Sequence, residues 1–359
     1  MKNFTLIVLF LFATLFQITA QDNLTYIDLI NRLYDLEYLA TPPMEGEQSG
    51  SFSSFDRRAR YDVQTNMYKD WDANADGTGY IRMEADSSSI VVFEKDGPGV
   101  IWRVWSALAL DGHIKIYVDH EQEPIIDQAF DDFFEQINED GIELPKSLPG
   151  YPSVNLPNLT PTLSRGRNRW IPIPYQKHCK IVFEKGWGMY YHITYTTFPE
   201  EVGVAEFDGI HRKADCIALA EADRILANRG HARKQYANET VEQKKIKLSR
   251  NKSKAITIEG NCAITHFNLT YDKNNYENEA NRREFLQNVW LKITWDDETK
   301  AAVNVPLGLF FGTYPDAYPN RTIPIGALPG YLYSNWYMPF SKQAKLEIIN
   351  KGARKHEIE

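Results

Sequence analysis

The chain has 359 residues, 43% hydrophobic and 25% charged, which allows two globular domains of ordinary size and shows no compositional sign of disorder. A formal net charge of -8 with a pI near 5.6 argues against a nucleic-acid partner, because phosphate binding needs a basic face. Cys179, Cys216 and Cys262 are odd in number and lack CxxC spacing, so buried free thiols are expected in place of a disulfide framework or a zinc site.

The first element, residues 1–20, is MKNFTLIVLFLFATLFQITA, one lysine and an apolar run ending in small residues. This pattern is that of a secretory signal peptide cleaved after Ala20. The run is too short for a comfortable membrane span, and no cysteine follows to accept a lipid. Export to the periplasm or the medium is expected, with no membrane attachment after cleavage. In residues 21–50, Thr25 is placed to cap a helix reaching Leu39, with Tyr26, Leu29, Ile30, Leu33 and Leu36 at helical spacing.

Residues 51–205 alternate with a period of two. Ile114, Ile116 and Val118 face one way while Lys115, Tyr117 and Asp119 face the other, and Tyr191, Ile193 and Tyr195 do the same near the end. Pro172, Pro174, Pro306 and Pro339 cannot donate to a ladder and are expected at edges, bulges or strand starts. The pattern then changes across a linker, residues 206–250. His211 to Ala227 spaces Ile217, Leu219, Ala220, Ile225 and Leu226 as a helix does, with Gly230 as a stop. The lysine-rich run from Lys244 to Lys254 reads as solvated linker. Strands resume in residues 251–359.

The second stretch of strands repeats the first. At a constant spacing, Ile114, Lys115, Ile116, Asp119, Glu121, Ile126, Asp127, Phe133 and Phe134 fall on Leu291, Lys292, Ile293, Asp296, Glu298, Val303, Asn304, Phe310 and Phe311. A second block sets IPIPYQKHCKIVF (171–183) over WYMPFSKQAKLEI (336–348), and GPGVIWRVW (97–105) faces a degraded GNCAITHFN (260–268). Lone hairpins are marginal, so the repeated unit must stack two sheets to bury a core. The fold class expected is all-β: two tandem jelly-roll-like β-sandwiches joined by a helical linker. The second copy lacks a counterpart of YYHITY (190–195) and is expected to be incomplete.

Two segments mix polar groups with aromatics as a sugar site does, since hydroxyls need donors and acceptors while the ring's apolar face stacks on Trp or Tyr. They are GSFSSFDRRARYD (50–62) and GPGVIWRVWSA (97–107). The candidate substrate contacts are Asp56, Arg57, Arg103, Trp105, Trp187 and Tyr190. The competing reading makes Trp102 and Trp105 packing residues and puts Arg103 in a structural ion pair. In WDANADGTGYIRME, Asp72, Asn74 and Asp76 take positions 1, 3 and 5 of a calcium loop, but the bidentate acid at position 12 is replaced by Met83. An Asx-rich turn competes with the calcium site, and no cofactor is otherwise expected. A glycosidase needs two carboxylates about 5 to 9 Å apart. Asp131 with Asp132, and Glu121 with Glu123, are the local pairs, whereas the recurrence of Asp119, Glu121 and Asp127 in the second copy assigns those three to turns.

At SSFDR (53–57), WDANADGTGYIR (71–82), GPGVIWRVWSA, GHIKIYVD, PIPYQKHCKI, GWGMYYHITYTTFP and VPLGLFFG, the sequence resembles the domain of unknown function 2961 family, grouped as glycoside hydrolase family 172. The resemblance runs from about residue 50 to the last residue. It implies a tandem jelly-roll enzyme that assembles as homotrimers or larger oligomers and cleaves fructofuranose or D-arabinofuranose linkages in a carbohydrate substrate. The family's acidic GTG(T/S)EDYF-like segment has no match between Glu259 and Glu359, so no catalytic residue is carried over. A hydrolase represented by its N-terminal part, a non-catalytic carbohydrate-binding or oligomer-forming module, and a purely structural jelly-roll that binds nothing are the readings left open.

Overall fold

The computed structural model describes residues 23–135, 156–313 and 318–359, so the predicted signal peptide lies outside the described residues. In the first sandwich the principal strands are β1 (Gln48–Ser53), β2 (Ile90–Asp96), β3 (Gly99–Ser106), β4 (His113–Val118), β5 (Ile126–Ala129), β6 (Gly166–Arg169), β7 (His178–Phe183) and β8 (Tyr191–Thr197). One sheet runs β6-β3-β8-β1, with Ile173–Tyr175 also paired to β3; the other runs β2-β7-β4-β5. Their inward faces meet in one core of Phe93, Ile101, Val104, Ile114, Ile116, Ile181, Phe183 and Ile193. The alternation read from Ile114, Ile116 and Val118 is the buried row of β4. Pro174 sits in a short strand with a single partner, where its missing N–H leaves no gap in a ladder.

The second sandwich rebuilds this plan with β9 (Ser253–Glu259), β10 (Val289–Trp295), β11 (Val303–Pro306), β12 (Ile325–Leu328), β13 (Tyr331–Ser334) and β14 (Gln343–Asn350). Its sheet order β9-β14-β10-β11 mirrors β2-β7-β4-β5. The copies agree residue by residue: Ile116 lies opposite Ile181 and Ile293 opposite Leu346. Because a slip of one residue would turn every side chain to the other face, equal register is a stringent sign of one duplicated unit. The turns agree as well. Asp119 adopts φ 54° and its Oδ1 accepts from the amides of Gln176, Lys177 and His178. Asp296 adopts φ 49° and its Oδ1 accepts from those of Ser341, Lys342 and Gln343. The turn role expected for Asp119 is therefore what the structure shows.

Several expectations are corrected. The capping box at Thr25 is present, Thr25 and Asp28 each bonding the other's amide, but the helix α1 (Tyr26–Asn31) stops well before Leu39. Helix α2 (Phe130–Glu135) carries Asp131 and Asp132, so these are consecutive helical residues that point apart and do not form a facing pair. Helix α3 (Lys213–Ala227) does not stand between the domains as a bare linker: Cys216, Leu219 and Ala222 join the first core, while Ile217 is 57% exposed. The helical period is the expected one but the inward face is rotated from it, because Asp223 is buried to accept from the amides of Asn158 and Leu159.

The lysine-rich run is structured too. Ile246–Leu248 pairs with His356–Ile358, and β9 begins at Ser253. His356–Ile358 lies between Ile246–Leu248 and Tyr271, the position β8 holds between β1 and β3 in the first sandwich, so the strand expected to be missing has a short counterpart here. Its sequence KHEIE hid the match, since only the alternation of buried His356 and Ile358 survives from YYHITY. Cys179 and Cys216 are buried as expected; Cys262 is exposed on an edge strand.

Candidate functional site

The face of the β6-β3-β8-β1 sheet turned away from the core is covered at one end and open at the other. At the covered end Val100 packs with Leu29 of α1, Phe198, Val202 and Val204. Between Thr194 and Tyr195 the pairing of β8 with β3 skips one residue: Thr194 faces Arg103 while Tyr195 faces Ile101. Trp102 is the extra residue of this bulge, which is why Trp102 and Trp105, three apart, belong to the same face. Trp102 packs at the covered end and donates its Nε1–H to Thr196 Oγ1 at 2.8 Å, as the packing interpretation required. Trp105 does not; it lies at the open end, in a row with Asn168, His192 and Ser53 set by strand pairing.

Arg103 is the centre of the open end. Its Nε–H donates to Asn168 Oδ1 at 2.9 Å, and its Nη1 lies 3.4 Å from His192 Nδ1. The guanidinium carbon stands 5.1 Å from the Trp170 ring centre and 5.9 Å from that of Trp105. Asn168 is itself fixed, its amide donating to the carbonyls of Pro161 and Gly166. Gly166 is required by packing, because a Cβ there would sit 2.3 Å from Trp105 Nε1. Burial holds the Arg103 pKa below its ordinary value, and burial together with the Arg103 charge lowers that of His192, which is therefore neutral near pH 7. The structural ion pair weighed for Arg103 is not found: among the described residues no carboxylate lies within salt-bridge distance of it.

A second group of candidates forms the rim where β1 ends. Asp56, 5% exposed, accepts from the Arg58 guanidinium at 2.6 to 3.1 Å and from the amides of Arg58 and Ala75. Those bonds, the Arg58 side chain first, hold its carboxyl far below the usual range, so it is a permanently charged clamp between two loops. Arg57 donates to the Ser53 carbonyl at 2.8 Å and lies 4.1 Å from the Phe55 ring centre. Tyr190 packs on the loop at Gly77, where an added Cβ would approach its ring to 3.1 Å.

Trp187 does not belong to the site. It is 8% exposed and wedged among Phe130, Phe183 and Tyr191 with ring centres 4.9 to 6.0 Å apart, so it is a core residue. The calcium loop is likewise not assembled. Asp76 Oδ1 accepts the Asp56 amide at 3.0 Å, which turns it onto the neighbouring loop, and the described residues gather no group of three His, Cys, Asp or Glu suited to a metal. Asp72 and Asn74 are left exposed on an Asx-rich turn. Asp131 is engaged by Arg167. Sequence reading missed Asn168 and His192, which reach the site through pairing register, and Trp170, which follows β6 directly; the only local signal was Trp170 beside a run of arginines.

This is a protein of two like-folded β-sandwiches, one of which presents a guanidinium held between indoles. The profile of the GH172 first beta-sandwich domain matches residues 45–215, and that of a GH172 domain-like unit matches residues 238–359. The chain belongs to glycoside hydrolase family 172. No curated protein matches it at a significant level. Among solved structures, it is 8% identical to the quasi-atomic PBCV-1 virus capsid, over 84% of both chains with a TM-score of 0.17. It is also 8% identical to the STIV MCP, over 73% of this chain and 91% of that one with a TM-score of 0.15. The fold assignment rests on the sheets described above.

Proposed function

We propose that the chain serves an exported glycoside hydrolase of furanosides, acting on arabinofuranosyl or fructofuranosyl linkages of polysaccharides as a homo-oligomer, and that the Arg103 patch contacts the sugar. The observation that carries this reading is the placement of a half-buried guanidinium, free of carboxylates, beside the half-buried Trp105 and the exposed Trp170. Such a surface matches a sugar, whose hydroxyls take donors while its apolar face stacks on indole. The test is calorimetric titration with arabinofuranosyl and fructofuranosyl oligosaccharides, alongside assays for released sugar. Binding that weakens about tenfold or more in Arg103→Ala and Trp105→Ala supports the assignment. Unchanged binding in both variants refutes it.

A second reading, non-catalytic binding or oligomer formation, is favoured by the separation of the candidate carboxylates. Asp131 is held by Arg167, Asp132 is its neighbour on α2, and Asp56 is locked onto Arg58. Binding without turnover on every furanoside tried would select it.

A further inference from the structure

The duplication supplies a control for the Arg103 patch. Pairing register places His266 of the second copy where Arg103 stands in the first: Ile264 faces Met338 as Ile101 faces Ile173, and Asn268 faces Tyr333 as Trp105 faces Asn168. His266 is satisfied from within, its Nδ1 2.7 Å from Asn335 Oδ1 and its Nε2 3.0 Å from the Asn268 amide. The scaffold therefore folds without a cation at this position. In the first copy a guanidinium has been placed there and partly removed from water with no counter-charge, an unfavourable arrangement unless something else supplies the anion.

The charges left without an ion-pair partner beside this row are positive. Arg57, anchored to the Ser53 carbonyl at the end of the Asn168–Trp105–His192–Ser53 row, has no salt bridge among the described residues. Asp56, the nearest carboxylate in sequence, is saturated by Arg58 and Ala75. Asn168 takes the Nε–H of Arg103 and so orients the guanidinium, leaving Nη2 and the outer edge of Nη1 as an open two-pronged donor. That fork is the geometric complement of a carboxylate. Trp105 and Trp170 flank it as ring-stacking surfaces.

We propose that the Arg103 patch recognises an acidic sugar, binding the carboxylate of a uronic-acid residue end-on through Nη1 and Nη2 while an indole stacks on the ring. The inference rests on the reading of this patch as a carbohydrate contact and narrows its ligand class to an anionic glycan. The test uses the full chain and one oligosaccharide in two forms, an arabinofuranose-containing oligosaccharide bearing glucuronic acid and the same compound with its carboxyl reduced to the alcohol, measured by calorimetry. The acid form is expected to bind about tenfold tighter at low salt, and the advantage to shrink by several-fold in 0.5 M NaCl, where the screening length falls to about 4 Å. Arg103→Gln should erase the difference between the two forms, and Trp105→Ala should weaken both.

Equal binding of the two forms by the unmodified chain overturns the acidic-sugar proposal while leaving the carbohydrate reading standing. A preference that persists in Arg103→Gln overturns it as well, since the carboxylate would then be held elsewhere. Failure of both forms and of neutral furanosides to bind removes the underlying reading together with the proposal.

Discussion

Replacing Asp119 or Asp296 by alanine should cost the two sandwiches nearly the same stability. In each turn one carboxylate oxygen receives three backbone amides, at 2.8, 2.6 and 3.3 Å from Asp119 and at 2.9, 2.6 and 3.2 Å from Asp296. The two shorter bonds in each set, partly open to water, contribute about 1 kcal/mol apiece and the long one less. Both residues also sit at positive φ, where alanine is penalised by a further ~1 kcal/mol relative to Asp or Asn. The expected loss is about 3 kcal/mol for each alanine variant. Asparagine keeps an acceptor oxygen and tolerates the left-handed region, so Asp119→Asn and Asp296→Asn should cost about 1 kcal/mol or less. Urea denaturation followed by tryptophan fluorescence and circular dichroism, with each variant read against the unmodified chain, measures both. The reasoning fails if asparagine costs as much as alanine, or if one turn matters and its twin does not.

Trp187→Ala should lower stability by about 3 to 5 kcal/mol and leave the affinity of the remaining folded protein for sugar unchanged, because the indole fills the core against Phe130, Phe183 and Tyr191; thermal melts and titration separate the two effects. His211 is buried, and burial with the nearby Arg169 charge pushes its pKa down to about 3, so the folded state refuses a proton that the unfolded state accepts near pH 6.5. Its contribution to stability is therefore complete above about pH 6.5 and is lost as pH falls toward 3, by at most about 1.4 kcal/mol per pH unit. The denaturation midpoint of His211→Gln should depend less steeply on pH over that interval; an unchanged slope would refute the assignment. A thiol reagent should label Cys262 in the native protein and leave Cys179 and Cys216 until it unfolds, which mass spectrometry of tryptic peptides can check.

The duplicated sheet was legible because its signals are local and redundant. Alternation in HIKIYV and WLKITW marks the strands, and an aspartate at Asp119 and Asp296 fixes the same turn twice. What the sequence concealed is tertiary. The buried Asp223 looks polar and outward until the amides it accepts from are known, and Ile217 looks inward until the helix is docked. Trp187 has the same local composition as a sugar-stacking residue, and only its aromatic neighbours, brought from α2 and β7, show it to be core. The strand His356–Ile358 is hidden in the sequence because KHEIE shares alternation but little residue identity with YYHITY.

The site divides along the same line. Arg103 and Trp105 were visible because they fall on one strand, and the bulge between Thr194 and Tyr195 reconciles their face with the awkward spacing from Trp102. Asn168 and His192 come from other strands and enter only when pairing puts them alongside, and Trp170 follows directly after the strand that carries Asn168. A duplicated fold then says which part of this arrangement is architecture and which is not. The second copy keeps the register and builds a closed hydrogen-bond set around His266, so sheet stability does not require the first copy's two indoles or its guanidinium without a counter-charge. Features that one twin dispenses with and the other retains at an energetic cost are where ligand recognition is to be sought, and on this chain they converge on Arg103.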